Sequence, residues 1–85
     1  MNLDGKRVVI TGASRGIGAE IAKEFAAAGS QVVLSARTES AISNLAREID
    51  GIAIPFDAND PEDVRTYIAN VEDSVGPIDV LINNA

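Results

Sequence analysis

The sequence predicts an α/β fold: a parallel four-stranded sheet with helical crossovers, in the element order βαβαβαβ. Two observations carry this. Short β-branched apolar runs alternate with longer stretches of helical spacing from one end of the chain to the other. Glycine, proline or an acidic cap punctuates the junctions, with no long linker, repeat or low-complexity tract between them. Alternation of this kind means right-handed crossovers and parallel strands. The doubly wound strand order 3-2-1-4 follows as the natural arrangement, with the first two helices on one face and the third on the other. The whole chain, residues 1–85, is then a single three-layer half-domain.

Each element has its own warrant. Residues 7–11, Arg-Val-Val-Ile-Thr, form an apolar run suited to a buried parallel strand. After the glycine-rich stretch 12–18, Ile17, Ile21, Ala22, Phe25 and Ala26 fall at helical spacing, and Gly29 stands where a C′ glycine ends a helix. Residues 31–36 are the second strand. Thr38 or Ser40 is positioned to cap a second helix whose stripe is Ile42, Leu45, Ala46 and Ile49, closed by Gly51. A third strand is expected over 52–56, with Pro55 tolerated only near its end. Asp60-Pro61-Glu62-Asp63 combines an acidic N-cap, a first-turn proline and first-turn acids, and predicts a third helix with Val64, Ile68, Val71 and Val75 buried. Gly76-Pro77 ends it, and 78–83 is a fourth strand.

Composition narrows the function. The apolar fraction of 46% fits a folded domain rather than a disordered one. With no cysteine and no histidine, disulfides, thiolate metal sites, zinc chemistry and histidine acid–base catalysis have no residues to use, and no metal site is expected. The net charge of −6 argues against nucleic acid and anionic membranes as partners. It does not oppose a phosphorylated ligand, which answers to the local field. No apolar run is long enough for a membrane span, and residues 1–6 carry no apolar core of a signal peptide, so a cytoplasmic setting is expected.

The chemistry points to the glycine turn, Thr11-Gly12-Ala13-Ser14-Arg15-Gly16-Ile17-Gly18. Gly12 permits a tight turn off the strand. Gly16, without a Cβ, lets a diphosphate approach the start of the helix, and Gly18 lets the helix lie close to the sheet. Amide groups of the first helical turn, including that of Ile17, face the phosphates with the helix dipole behind them. Ser14 and Arg15 add side-chain donors. A glycine turn between strand and helix is the context a dinucleotide site requires.

The octapeptide resembles the TGxxxGIG motif of the short-chain dehydrogenase/reductase family, whose members have a Rossmann fold. Asp57-Ala58, after the third strand, resembles that family's adenine-contact position. Asn83-Asn84-Ala85 resembles the start of its NNAG motif. The three occur in order along the whole chain, closest in character to 3-oxoacyl-acyl-carrier-protein reductase-like members. The resemblance implies a nicotinamide dinucleotide cofactor, with Asp57 and Ala58 on the adenine and Asn84 near the adenosine ribose. The residues also allow plainer roles: an Asx-turn at Asp57, and amides that tie loops together at Asn83 and Asn84.

The second strand ends Ser35-Ala36-Arg37, without the acid that holds the ribose hydroxyl of NAD. Arg37 is placed to meet a 2′-phosphate, with Arg15 near enough to help, so NADP is expected over NAD. Arg37 could instead be solvated or paired with Glu39. The family's activity needs Ser, Tyr and Lys, the last two as YxxxK, and an Asn. The one tyrosine, Tyr67, is followed four residues later by Val71 and is expected to be a core residue. The resemblance thus implies a chain that binds NADP(H) and is inactive alone, cut from a protein about three times longer. Its fourth strand, residues 78–83, would then be an exposed apolar edge open to self-association as a dimer. The alternatives are a self-associating scaffold without useful affinity, and an oxidoreductase active only with a complementary half.

Overall fold

The computed structural model describes residues 2–13 and 16–84. Seven elements follow in order: β1 (Arg7–Thr11), α1 (Ile17–Ala27), β2 (Gln31–Ser35), α2 (Ser40–Ile49), β3 (Ile52–Ala53), α3 (Pro61–Val75) and β4 (Val80–Asn83). The strands are parallel and ordered β3-β2-β1-β4, as the alternation predicts. β1 is central, with Val8 beside Val32 and Val80, and Thr11 beside Ser35 and Asn83. Arg7 stitches the amino-terminal edge of the sheet. Its backbone N–H donates to Asp79, its Nε to Gln31 and a terminal nitrogen to the Pro77 carbonyl.

Alternation along the buried strands divides the core in two. Val8, Ile10, Val32 and Leu34 face α1 and α2, where they pack with Ala22, Ile42 and Ala46. Val9 and Val33 face α3 and meet Tyr67 and Val71. The two layers of helices therefore lie on the sides predicted.

Several details differ from the sequence reading. β3 is only Ile52–Ala53, although Ile54 and Phe56 still donate their N–H groups to the carbonyls of Leu34 and Ala36. Pro55, between them, turns its nitrogen to the free edge of the sheet, so its missing N–H costs no bond to β2 and the chain keeps its direction. β2 ends at Ser35 and β4 begins at Val80, each shorter than expected. Neither Thr38 nor Ser40 caps α2 with its side chain. Glu39 is the N-cap, already in helical conformation, and the Thr38 carbonyl accepts from Ala41 to make a backbone turn. Asp50 rather than Gly51 takes the left-handed position after α2, a conformation its short polar side chain tolerates. The α3 start is as read: Asp60 accepts from the Glu62 N–H, with Pro61 next.

Two apolar assignments also change. Ile17 is 72% exposed, because the buried row of α1 is Gly18 and Ala22, and a neighbouring residue sits about 100° round the helix. On α3 the buried residues are Tyr67 and Val71, while Val64 is 52% and Ile68 41% exposed. The helix is rolled so that Tyr67 points at β1, β2 and the segment after β3. Val64 and Ile68 are left on the flank above β4, next to Leu81. Among the described residues no helix is long and apolar enough to cross a membrane.

Candidate functional site

A cleft of about 300 Å³ opens at the carboxyl ends of the strands, where ligands bind in open α/β sheets. Thr11 and Gly12 line it from the end of β1, Ala36 and Arg37 from the end of β2, and Phe56, Asp57, Ala58 and Asn59 from the segment after β3. Four predicted site residues, Gly12, Arg37, Asp57 and Ala58, are thus brought together. Gln31–Ser35 ends one residue before Ala36, so pairing of β2 with β1 delivers Arg37 to the cleft rim.

Arg37 is exposed and forms no ion pair with a described carboxylate, Glu39 included; the ion pairs found are Lys23 with Glu20 and Glu48, and Arg65 with Glu62. The Asx-turn weighed for Asp57 is present: its Oδ1 accepts from the Asn59 N–H at 2.9 Å, and its carbonyl accepts from the Asp60 N–H. Its own N–H donates to Asp63 Oδ2 at 3.1 Å, so α3's first turn holds the loop in place. A carboxylate has two oxygens and about four lone-pair directions, so the turn leaves acceptor capacity for a ligand.

Two glycines of the turn stand in opposite surroundings. Gly16, N-cap of α1, has φ 64°, and among the described residues a Cβ built there meets nothing within 4 Å. Gly18 is the opposite case. A Cβ there would lie 2.6 Å from Asn84 Nδ2 and 2.7 Å from the Gly12 carbonyl oxygen, so α1 can approach β1 this closely only without a side chain. Ser14 and Arg15, also expected in the site, lie outside the described residues.

Gly16 and Ile17 do not line the cleft. They border a separate hollow along α1, with Glu20, Ile21 and Phe25. Asn84 serves the loops: its Nδ2 donates to the Gly12 carbonyl at 3.2 Å and its N–H to Thr11 Oγ1 at 3.3 Å. Thr11 Oγ1 in turn donates to Asn83 Oδ1 at 2.9 Å. The end of β4 is thereby fastened to the glycine turn.

Sequence reasoning passed over Phe56 and Asn59, which line the cleft, and the contacts behind them. Tyr67 is 6% exposed, and its hydroxyl donates to Ser35 Oγ at 2.5 Å. Its ring lies 4.1 Å from that of Phe56, centroid to centroid, tilted by 31°. Burial holds the Tyr67 phenol above its usual pKa, with the Ser35 hydroxyl opposing in part. The signal for this cluster was an aromatic at the end of strand three and another on the following helix.

Comparison with known proteins agrees with this architecture. The chain is 41% identical over 88 residues to the ketoacyl reductase HetN of Nostoc sp., an alignment spanning 98% of this chain and 31% of that protein. It is 33% identical to the 3-oxoacyl-[acyl-carrier-protein] reductase FabG of Salmonella typhimurium, over 100% of this chain and 36% of FabG. Among solved structures, a metagenomic short-chain oxidoreductase in complex with NADP superposes with a TM-score of 0.86 at 38% identity, covering 100% of this chain and 41% of that one. The chain spans about a third of the length of the curated relatives it matches. Residues 6–85 match the family described as short chain dehydrogenase, and with the glycine turn, the 3-2-1-4 sheet and these relatives the chain belongs to that family.

Proposed function

We propose that this chain is the NADP(H)-binding half of a short-chain dehydrogenase/reductase, holding the adenosine and diphosphate side of the cofactor. The observation that carries the reading is the convergence of Gly12, Arg37, Asp57 and Ala58 on one cleft at the carboxyl edge of the sheet. The residues suit the group. Gly16, with none of the described residues within 4 Å of where a Cβ would stand, suits the approach of a diphosphate to the amino end of α1. Arg37, without a described carboxylate partner, is available to a 2′-phosphate. Asp57 and the Ala58 N–H suit an adenine edge, and Ser14 and Arg15 complete the donor set of the turn. Asn84, expected near the adenosine ribose, also fastens the turn through Gly12. A bound nicotinamide dinucleotide supplies a hydride.

In this reading the 85 residues bind and do not turn over. Tyr67 is committed to the core and lacks a lysine four residues on. Reduction of a carbonyl, the activity the names of the two relatives suggest, belongs to the proposal for a whole protein of their length. The test is calorimetric titration with NADPH and NADH. NADPH is expected to bind more tightly, and Arg37→Ala to weaken it about tenfold, the magnitude of one charge-assisted hydrogen bond. Equal affinities, or an Arg37→Ala chain that binds NADPH unchanged, would overturn the assignment.

A second property has its own support. β4 pairs only with β1 among the described residues, and Leu81, 48% exposed, adjoins Val64 and Ile68 on the same flank. We infer self-association of two copies through residues 78–83, since an uncovered apolar strand edge is a template for pairing. Sedimentation should show a dimer that Leu81→Lys dissociates; a monomer at high concentration would contradict it.

A further inference from the structure

We propose that Tyr67, on the opposite face of the sheet from the glycine turn, is a positioning residue that sets the spacing between Arg37 and Asp57–Ala58, and with it the preference for a 2′-phosphorylated dinucleotide. The inference rests on the cofactor reading above and deepens it.

Three contacts close a loop around the ends of β2 and β3. The Tyr67 hydroxyl donates to Ser35 Oγ. The Phe56 N–H donates to the carbonyl of Ala36, the residue after Ser35, at 2.9 Å. The Phe56 ring packs on the Tyr67 ring and returns to the start. Each side of this loop ends one residue from a ligand-facing group: Ala36 precedes Arg37, and Phe56 precedes Asp57. The Ser35 carbonyl also accepts from the Ala13 N–H at 3.4 Å, so the same residue touches the glycine turn.

Ser35 is fully buried, and its hydroxyl needs a partner there. A phenol supplies a donor at fixed reach from a ring that is itself stacked, so it holds direction as well as distance. Without the hydroxyl, the end of β2 is tied to the segment after β3 by the Ile54–Leu34 and Phe56–Ala36 backbone bonds, and only the second lies beyond Ser35, which leaves the cleft width at Arg37 less defined. The adenine contacts, made on the Asp57 side alone, do not depend on that width. A phosphate bridging toward Arg37 does.

The test is binding of NADPH and NADH to the wild-type chain, Tyr67→Phe, Ser35→Ala and the double variant, each checked for folding by circular dichroism. Tyr67→Phe keeps the ring stack and removes only the donor. Both single variants are expected to weaken NADPH about fivefold, as loss of one buried hydrogen bond would, and NADH less than twofold. The double variant should be no weaker than either single one, because both remove the same bond. Unchanged NADPH binding in the variants would overturn the role of Tyr67, and so would an equal loss for NADPH and NADH, the mark of a merely structural residue. Should Tyr67→Phe not fold, Ser35→Ala decides. A wild-type chain that binds neither dinucleotide would instead overturn the cofactor reading itself.

Discussion

Replacing Gly18 by alanine puts a methyl group where the glycine turn, α1 and the end of β4 meet. The added Cβ would stand 2.6 Å from Asn84 Nδ2, 2.7 Å from the Gly12 carbonyl oxygen and 3.0 Å from Ala13 Cα. The amide of Asn84 can swing aside, at the loss of its bond to Gly12, a contribution of about 1 kcal/mol. The other two contacts are backbone, so α1 must lift from β1. Overpacking of this kind costs about 1–3 kcal/mol. Against this, alanine is favoured over glycine inside a helix by about 1 kcal/mol. The net expectation is a loss of about 1–3 kcal/mol. For a domain of this length that is a fall in Tm of roughly 4–8 °C per kcal/mol. Urea and thermal unfolding followed by circular dichroism measure it. A Gly18→Ala chain as stable as wild type would refute the claim that close approach, rather than a phosphate contact, fixes glycine at this position.

Burial makes two further predictions. The folded state holds the Tyr67 proton more tightly than the unfolded chain does, so its contribution is intact below the ordinary tyrosine pKa of about 10 and is lost as pH rises through the higher folded value. Unfolding free energy should fall over that alkaline window with a slope of at most about 1.4 kcal/mol per pH unit from this group, and the fall should be shallower in Tyr67→Phe; identical pH profiles for the two chains would contradict it. On α3, Val71→Ala should cost about 2 kcal/mol, since Val71 is fully buried, whereas Val64→Ala at a half-exposed site should stay within about 0.5 kcal/mol in the monomer. Equal losses in denaturant melts would show that the roll of the helix is misplaced.

The sequence made the architecture legible because strand and helix signals agreed along the chain. Val8, Val9 and Ile10 read as a strand buried on both faces, and they are fully buried. Asp60 and Pro61 marked a helix start without ambiguity. What escaped was rotation and register. The apolar residues of α3 span a broad arc, and spacing alone does not say which side meets the sheet. The large ring of Tyr67, with a buried hydroxyl partner in Ser35, decided it and left Val64 and Ile68 outside. The start of α2 turned on a backbone turn at Thr38 where a side-chain cap was expected, and β3 stopped at Ala53 although Ile54 and Phe56 still bond to β2.

The cleft was half legible for a related reason. Gly12, Arg37, Asp57 and Ala58 sit at the ends of strands, so strand order alone gathers them. Phe56 was hidden because an apolar residue at a strand end reads as core. Gly16 and Ile17 belong to the glycine turn but border a different hollow, which runs along α1. Asp57 and Asn84 show how one residue answers to two readings, since each already carries a loop contact.

The most direct test is an amide-resolved NMR titration of the isotope-labelled chain with NADPH. Saturable shifts are expected at Gly12, Gly16, Ile17 and Gly18, and at Arg37, Asp57 and Ala58, with the opposite edge of the sheet around Arg7 and Asp79 unmoved. A folded chain whose glycine-turn amides stay fixed at saturating dinucleotide would contradict it.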